Sequence, residues 1–508
     1  MQKRFLQWAL LAGNLVAAGL FFCLRDAVSA AGNAAMLCCL AVLAADLLYA
    51  IFAKNRLGFW LIPAQAGLLL LSYFARQSAS DSFGSLHSVS TLNFIAMLAM
   101  PLLAAAFFAL DLLGIGRKEI QLPAPLRFLR WLLPSVLLVG LFAFALLGYD
   151  HVYNYGYSYH EYAATRGDFL FMAVIFSITC LFLRQFIANK QDAWKEYLKR
   201  NIAVLTIFAA IAGFGFHSFS RGYLSFRNDV AAAEAEYQAM FGESSKAFPG
   251  RAVPLSIPQL FFGVRNGDYQ VERDISYRTI TEGDFSGLSL AYDAYYPSDS
   301  SEELPSVIIW LHGGGGDKGH RLHTCKYLAS KGYAVYDLQL GEPSEKNTNF
   351  PERMRGDWEA TWNLALESID AFFAHASVHE SANANFDSVF IMGASRGGGM
   401  ASEYIYLHAH RYQEYGVNVR GIVPLYGIAR DAEIDADSLP AFIYTGSNDG
   451  YINVWEVRHL REKYSEAGNS SAMLLEVSFA GHGVDSHFSS RGSQLQLYYL
   501  ERFLGQLR

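Results

Sequence analysis

The chain has 508 residues, of which 52% are hydrophobic, 15% aromatic and 17% charged, and its formal net charge is −7. That length exceeds one ordinary domain. The negative balance, with no long basic run, excludes a nucleic-acid interface as the organising function, and the low charged share points to a membrane part.

The apolar residues are unevenly spread. Residues 1–216 form a helical membrane domain, 217–265 a connector and 266–508 a soluble α/β domain. Seven apolar segments approach the roughly 20 helical residues that cross a bilayer core. They lie at 5–24, 30–52, 57–74, 92–113, 132–147, 169–183 and 202–216.

Basic residues orient the spans. With the N-terminus cytoplasmic, one side holds Lys3, Arg4, Lys54, Arg56, Arg117, Lys118, Arg127, Arg130, Arg184, Lys190, Lys195, Lys199 and Arg200. The other side holds Arg25, Arg76 and Arg166. An odd number of spans then places the soluble domain outside the cytoplasm, in the periplasm if the membrane is a bacterial inner one. The first span could instead be a signal peptide, with Ala27-Val28-Ser29-Ala30 as its cleavage site. A retained helix is favoured because Arg25-Asp26 intervene, and cleavage would leave the orientation unchanged.

Two membrane carboxylates recur in similar contexts. Asp46-Leu47-Leu48 closes the second span and Asp111-Leu112-Leu113 the fourth. Pairing with nearby basic loops is the favoured account; a functional intramembrane role is the alternative. The outer loop at 149–168 is dense in tyrosine, which reads as an interfacial belt or, more sharply, as a platform for a glycan or lipid headgroup. In the connector, 229–241 is helix-like, and Pro249, Pro254 and Pro258 then break regular structure.

The soluble half alternates strand and helix signals, which predicts a mostly parallel sheet with helices on both faces. Strands are expected at 277–281, 288–296, 306–311, 334–338, 388–392, 421–425, 441–445 and 473–479, and helices at 320–331, 358–374, 397–410, 454–466 and 490–507. Cys325 is the one cysteine of this half, so it holds no internal disulfide.

Four groups in this half fit ester chemistry. Gly393-Ala394-Ser395-Arg396-Gly397 joins an apolar strand to a helix, the context in which G-x-S-x-G exposes a nucleophile. A serine that merely caps the helix is the bland alternative. Upstream, His312-Gly313-Gly314-Gly315-Gly316 follows a strand and can turn backbone N–H groups toward a developing oxyanion. The expected donors are Gly314 or Gly315 together with Arg396. No Gly-Lys-Ser/Thr ends the run, so a phosphate loop is excluded. Asp449 lies in a turn after an apolar strand and is better placed as the acid than Asp435 or Asp437. His482 follows the next strand as the base, with His487 its rival; His487 and Tyr451 are candidate substrate-binding residues. No metal or cofactor is called for.

With these residues in order, the chain from about residue 277 resembles the α/β-hydrolase superfamily. His312-Gly313-Gly314-Gly315 with Gly393-Ala394-Ser395-Arg396-Gly397 is similar to carboxylesterases of the hormone-sensitive-lipase and feruloyl-esterase-like type. Residues 288–297 and Lys331-Gly332-Tyr333-Ala334-Val335 carry the same likeness. Arg396, where a small or acidic residue is common, and the fourth glycine depart from it. The resemblance covers about half the chain and implies a serine esterase acting through an acyl-enzyme. A membrane half far larger than a tether motivates two further readings: an envelope acyltransferase using the same residues on a lipid-linked or glycan substrate, and a catalytically silent ligand-binding sensor or transporter domain. Arg396 suggests either an acidic substrate or a neighbouring carboxylate partner.

Overall fold

The computed structural model describes residues 2–52, 86–115, 194–242, 251–298, 303–319, 322–342, 350–407, 411–429, 431–485 and 488–508, with scattered helical positions between 61 and 72. The expected spans at 132–147 and 169–183, and the tyrosine-rich loop, lie outside the described residues.

Three helices in the described residues are long and apolar enough to cross a membrane, within α1 (Gln2–Leu24), α2 (Ala30–Phe52) and α3 (Leu86–Leu112). Small residues line their contacts: Ala17 and Ala104 are fully or nearly fully buried, and Gly13 lies against Val42. Small side chains let helix backbones approach where no water drives them together. The described positions of the expected third span are helical, with Leu61 and Ile62 buried. At Asp46 the described helices build an amide contact rather than the favoured basic-loop pairing; Lys54, Arg56, Arg117 and Lys118 lie outside the described residues. Asp46 and Asp111 are both buried in the bundle. Asn14 Nδ2 donates to Asp46 Oδ1 at 2.9 Å, and Asp111 accepts from Gln7 and from the Tyr49 hydroxyl. Neighbouring helices supply amide and phenol donors to these carboxylates inside the bundle.

The seventh expected span falls in α4 (Trp194–Phe241), a 48-residue helix that runs on without a break through the first half of the connector. Gly242 ends it at φ 78, with its N–H on Gln238 O. The short α5 (Ile257–Phe262) follows, capped by Ser256, whose side chain accepts from Gln259 N.

The soluble half is one eight-stranded sheet in the order β1-β2-β4-β3-β5-β6-β7-β8. Its strands are β1 (Tyr269–Thr279), β2 (Ser289–Pro297), β3 (Ser306–Leu311), β4 (Tyr333–Leu338), β5 (Asn385–Ala394), β6 (Val419–Leu425), β7 (Ala441–Gly446) and β8 (Ala472–Val477). Only the β1–β2 and β2–β4 pairings are antiparallel. The helices are α6 (Leu322–Ala329), α7 (Trp358–His379), α8 (Arg396–Tyr406), α9 (Val454–Glu466) and α10 (Arg491–Leu507).

Every residue of β3, β4 and β7 is buried, as parallel strands covered on both faces require. Val307, Ile309 and Leu311 of β3 join one core with α7, α8 and α9; Ile308 and Trp310 join the other with α4, α6 and α10. This is the mostly parallel sheet with helices on both faces expected from the sequence. The connector helix is therefore part of its core: Ala233 and Tyr237 of α4 are buried against it.

Candidate active site

β5 ends at Ala394 and α8 begins at Arg396, so Ser395 alone makes the turn. Its φ of 54° and ψ of −117° are costly for a residue with a side chain. The surroundings enforce them. Ser395 N donates to Leu425 O at 2.8 Å, and Gly399 N bonds back to Ser395 O. The flanking glycines are sterically required: a Cβ on Gly393 would lie 2.2 Å from Gly397 O, and one on Gly397 would lie 2.2 Å from Leu311 O. A third glycine, unremarked in the sequence, presses on the same turn, since a Cβ on Gly427 would fall 1.8 Å from Ser395 O.

His482 Nε2 lies 2.8 Å from Ser395 Oγ, and His482 Nδ1 lies 2.8 Å from Asp449 Oδ2. A carboxylate only accepts, so Nδ1 carries the proton and Nε2 presents its lone pair to the serine hydroxyl. The Asp449 side chain has no exposed surface, while that of His482 keeps 13%. Asp449 Oδ1 accepts from Tyr451 N at 2.8 Å and Ile452 N at 2.9 Å, which fixes the carboxylate in its turn. Asp435 instead bonds within its own loop, to Asp437 N and Ser438 Oγ.

Two tyrosines flank the imidazole. The Tyr451 ring centroid is 5.1 Å away and the Tyr426 centroid 5.0 Å. Tyr426 sits at φ 40° just after β6 and donates its hydroxyl to Asp485 Oδ1 at 2.7 Å. Its role could not be read from sequence, because nothing in an apolar strand end marks a tyrosine as a neighbour of a histidine far along the chain. His487 lies outside the described residues.

The glycine loop after β3 comes up to this serine. A Cβ on Gly313 would lie 3.5 Å from Ser395 Cβ, and one on Gly314 would lie 3.7 Å from Arg396 Cδ. His312 is buried and its Nδ1 donates to Gly313 O at 3.0 Å, so it braces the loop. Of the two alternative donors, Gly314 and Gly315, the second has a carboxylate partner. Its N–H already donates to Glu342 Oε2 at 3.2 Å. Gly314 lies against Arg396, the first residue of α8, and the first N–H groups of a helix have no partner within it.

Glu342 also resolves the two readings of Arg396. Its Oε1 lies 3.1 Å from Arg396 Nε, with both side chains buried. Arg396 further donates to Thr361 Oγ1 at 3.2 Å, and its guanidinium stacks 4.0 Å from the Trp358 ring centroid. Burial lowers the Arg396 pKa while Glu342 pulls it back up. The cation is thus committed to a carboxylate rather than held out to an incoming ligand.

Among the described residues no group of three or more His, Cys, Asp and Glu is placed to hold a metal ion. What the arrangement can do is move a proton from Ser395 to His482, with Asp449 holding the ring.

No family model matches the sequence, and no curated protein matches it. Among solved structures, the chain is similar to esterase B from Lactobacillus rhamnosis, crystallised with a tributyrin phosphonate inhibitor (16% identity, 57% of this chain and 94% of that one, TM-score 0.37). It is also similar to a hyperthermophilic esterase from the archaeon Pyrobaculum calidifontis (16% identity, 47% and 86%, TM-score 0.36). A third is brefeldin A esterase, a bacterial homologue of human hormone-sensitive lipase (16% identity, 55% and 85%, TM-score 0.36).

Proposed function

We propose that this chain is a membrane-anchored serine hydrolase that cleaves carboxylic esters through an acyl-enzyme. The observation that carries the reading is the unbroken chain from Ser395 Oγ through His482 to Asp449, with both contacts at 2.8 Å. In this reading Ser395 Oγ attacks the ester carbonyl as its proton passes to His482 Nε2. The carbonyl oxygen becomes an oxyanion between the Gly314 and Arg396 amides. Collapse breaks the bond to the alcohol oxygen, which takes the proton from Nε2. Water then repeats the attack on the acyl carbon, with His482 again as base, and releases the acid. The intact hydrogen-bonded set speaks against a silent sensor.

The membrane anchor is supported by the three apolar helices and by α4, which carries the seventh apolar segment directly into the hydrolase core. An extracytoplasmic site is supported by where the connector leading into the hydrolase meets the membrane helices. The contact is in the turn after α1, where Ser256 Oγ donates to Ala27 O at 2.6 Å, remote from Lys3 and Arg4.

The test is labelling of the membrane-bound protein with a fluorophosphonate. Wild type should label and Ser395→Ala should not. Equal labelling of both proteins, or none of the wild type, would sink the reading. Release of free acid rather than transfer to an added alcohol then separates hydrolase from acyltransferase.

A further inference from the structure

The direction of α4 decides which edge of the hydrolase faces the bilayer. Its apolar stretch ends at Phe216. From there the helix runs outward and meets the hydrolase at successive points. The Arg221 guanidinium lies 4.8 Å over the Phe479 ring centroid. Two turns on, Asp229 accepts from Ser478 Oγ at 2.5 Å and from Ser478 N at 3.2 Å. Further out, Glu236 accepts from Leu474 N at 3.2 Å, and Phe241 packs against Phe503.

The order of these contacts, Phe479 and Ser478 first and Leu474 later, means that α4 runs antiparallel to β8. The carboxyl end of β8 is therefore the end nearest the membrane. α10 agrees: Arg491 in its first turn lies 3.6 Å from Asp229, and Arg502, three turns further along, lies 2.6 Å from Glu234. All the parallel strands share this direction, and Ser395, Asp449 and His482 follow the carboxyl ends of β5, β7 and β8. Ligands of open α/β sheets bind at that edge. Here that edge is turned toward the bilayer.

Its height above the apolar core follows from helix geometry. Arg221 is five residues past Phe216, or about 8 Å along the axis, and Phe479 beside it lies three residues before His482. The polar layer of one leaflet is about 5–8 Å thick. A second contact holds the same edge down. Gln494 in α10 accepts from Ser256 N at 2.7 Å, and Ser256 Oγ reaches Ala27 O in the turn between α1 and α2. Asn33, in the first turn of α2, donates to Leu255 O and accepts from Ile257 N, while Phe261 and Phe262 pack with Phe21 and Phe94 of the membrane helices.

The rim of the site suits that position. Tyr451, beside His482, is 61% exposed, and Trp358, stacked on Arg396, is 59% exposed. Tyrosine and tryptophan favour the membrane–water interface because one ring offers both an apolar body and a polar tip.

We infer that the ester attacked by Ser395 is carried by the bilayer: a lipid-anchored substrate whose scissile bond lies at headgroup level, taken laterally from the membrane that holds the enzyme. This rests on the serine-hydrolase reading, which alone makes Ser395 the attacking group.

The test uses the full chain reconstituted into vesicles and two fluorophosphonates. One is short and water-soluble; the other carries its phosphorus on the headgroup of a dialkyl glycerol lipid. The lipid-borne probe mixed into the same vesicles should label Ser395 about 10²-fold faster than the same total amount in separate vesicles, since confinement raises its effective concentration. Labelling by the soluble probe with none by the lipid-borne probe in the same bilayer would overturn the inference and leave the hydrolase reading standing. Equal rates from shared and separate vesicles would overturn it too. Failure of both probes would instead bring down the hydrolase reading on which it rests.

Discussion

Glu342, just past the end of β4, pairs with Arg396, the first residue of α8, at 3.1 Å in a buried setting, and the same carboxylate accepts the Gly315 N–H. One side chain thereby ties the glycine loop to the helix that follows Ser395. Removing one member of a buried ion pair leaves the other charge stranded, at a cost of about 3–5 kcal/mol. Glu342→Ala should therefore lower the thermal midpoint and slow ester turnover together. Glu342→Gln, which keeps an acceptor for Gly315, should retain more of both. An unchanged midpoint in Glu342→Ala would contradict the pairing.

Asp449 fixes the tautomer of His482 because a carboxylate cannot donate to Nδ1. An amide can. Asp449→Asn should let the ring turn its proton toward Ser395, and the proposed mechanism predicts a loss of about 10⁴ in kcat with KM little altered. Steady-state kinetics on a chromogenic ester check this. A loss below tenfold would assign the orienting role elsewhere.

Gly427 does not need a positive φ, and its requirement is steric. With a Cβ placed 1.8 Å from Ser395 O, Gly427→Ala has to push the nucleophile turn aside. Displacements near 1 Å at a reacting group cost about 10²-fold in rate. Fluorophosphonate labelling should slow by that order, while Gly19→Ala, where α1 leaves open space around an added Cβ, should label at the wild-type rate. Equal rates for the two variants would refute the steric account.

His323 in α6 stacks on Phe488 at 5.7 Å, and burial holds its pKa down at about 4, against an ordinary 6.5. Between those values the unfolded chain binds a proton that the folded chain refuses. This contribution to stability is complete above about pH 6.5 and is lost as pH falls toward 4, to a total of roughly 3 kcal/mol. His323→Phe keeps a ring against Phe488 and cannot titrate, so it should narrow the gap in thermal midpoint between pH 7 and pH 4.5. A gap unchanged by the substitution would mean that other groups carry the acid sensitivity.

Much of this was legible in the chain itself, wherever the cause is local. β3 falls on the expected 306–311 and α9 on the expected 454–466, because a continuous apolar run and an amphipathic repeat each declare their own period. The turns bearing Ser395, Asp449 and His482 were legible because a sharp turn at a strand end demands glycine or a turn-forming residue within a few positions. What the sequence by itself determined is thus the fold class of the soluble half and three turns whose Ser395, Asp449 and His482 the fold brings into contact. Tertiary structure alone decided the rest. Asp46 meets Asn14 rather than a basic loop, Arg396 meets Glu342 rather than solvent, and Tyr426 covers His482. Each pairing joins residues distant in sequence, and no periodicity encodes which strand ends will be neighbours. The change in composition after Phe216 looked like the start of a connector, yet a helix backbone does not break where its outer face changes from apolar to polar. α4 therefore continues into the core of the α/β domain.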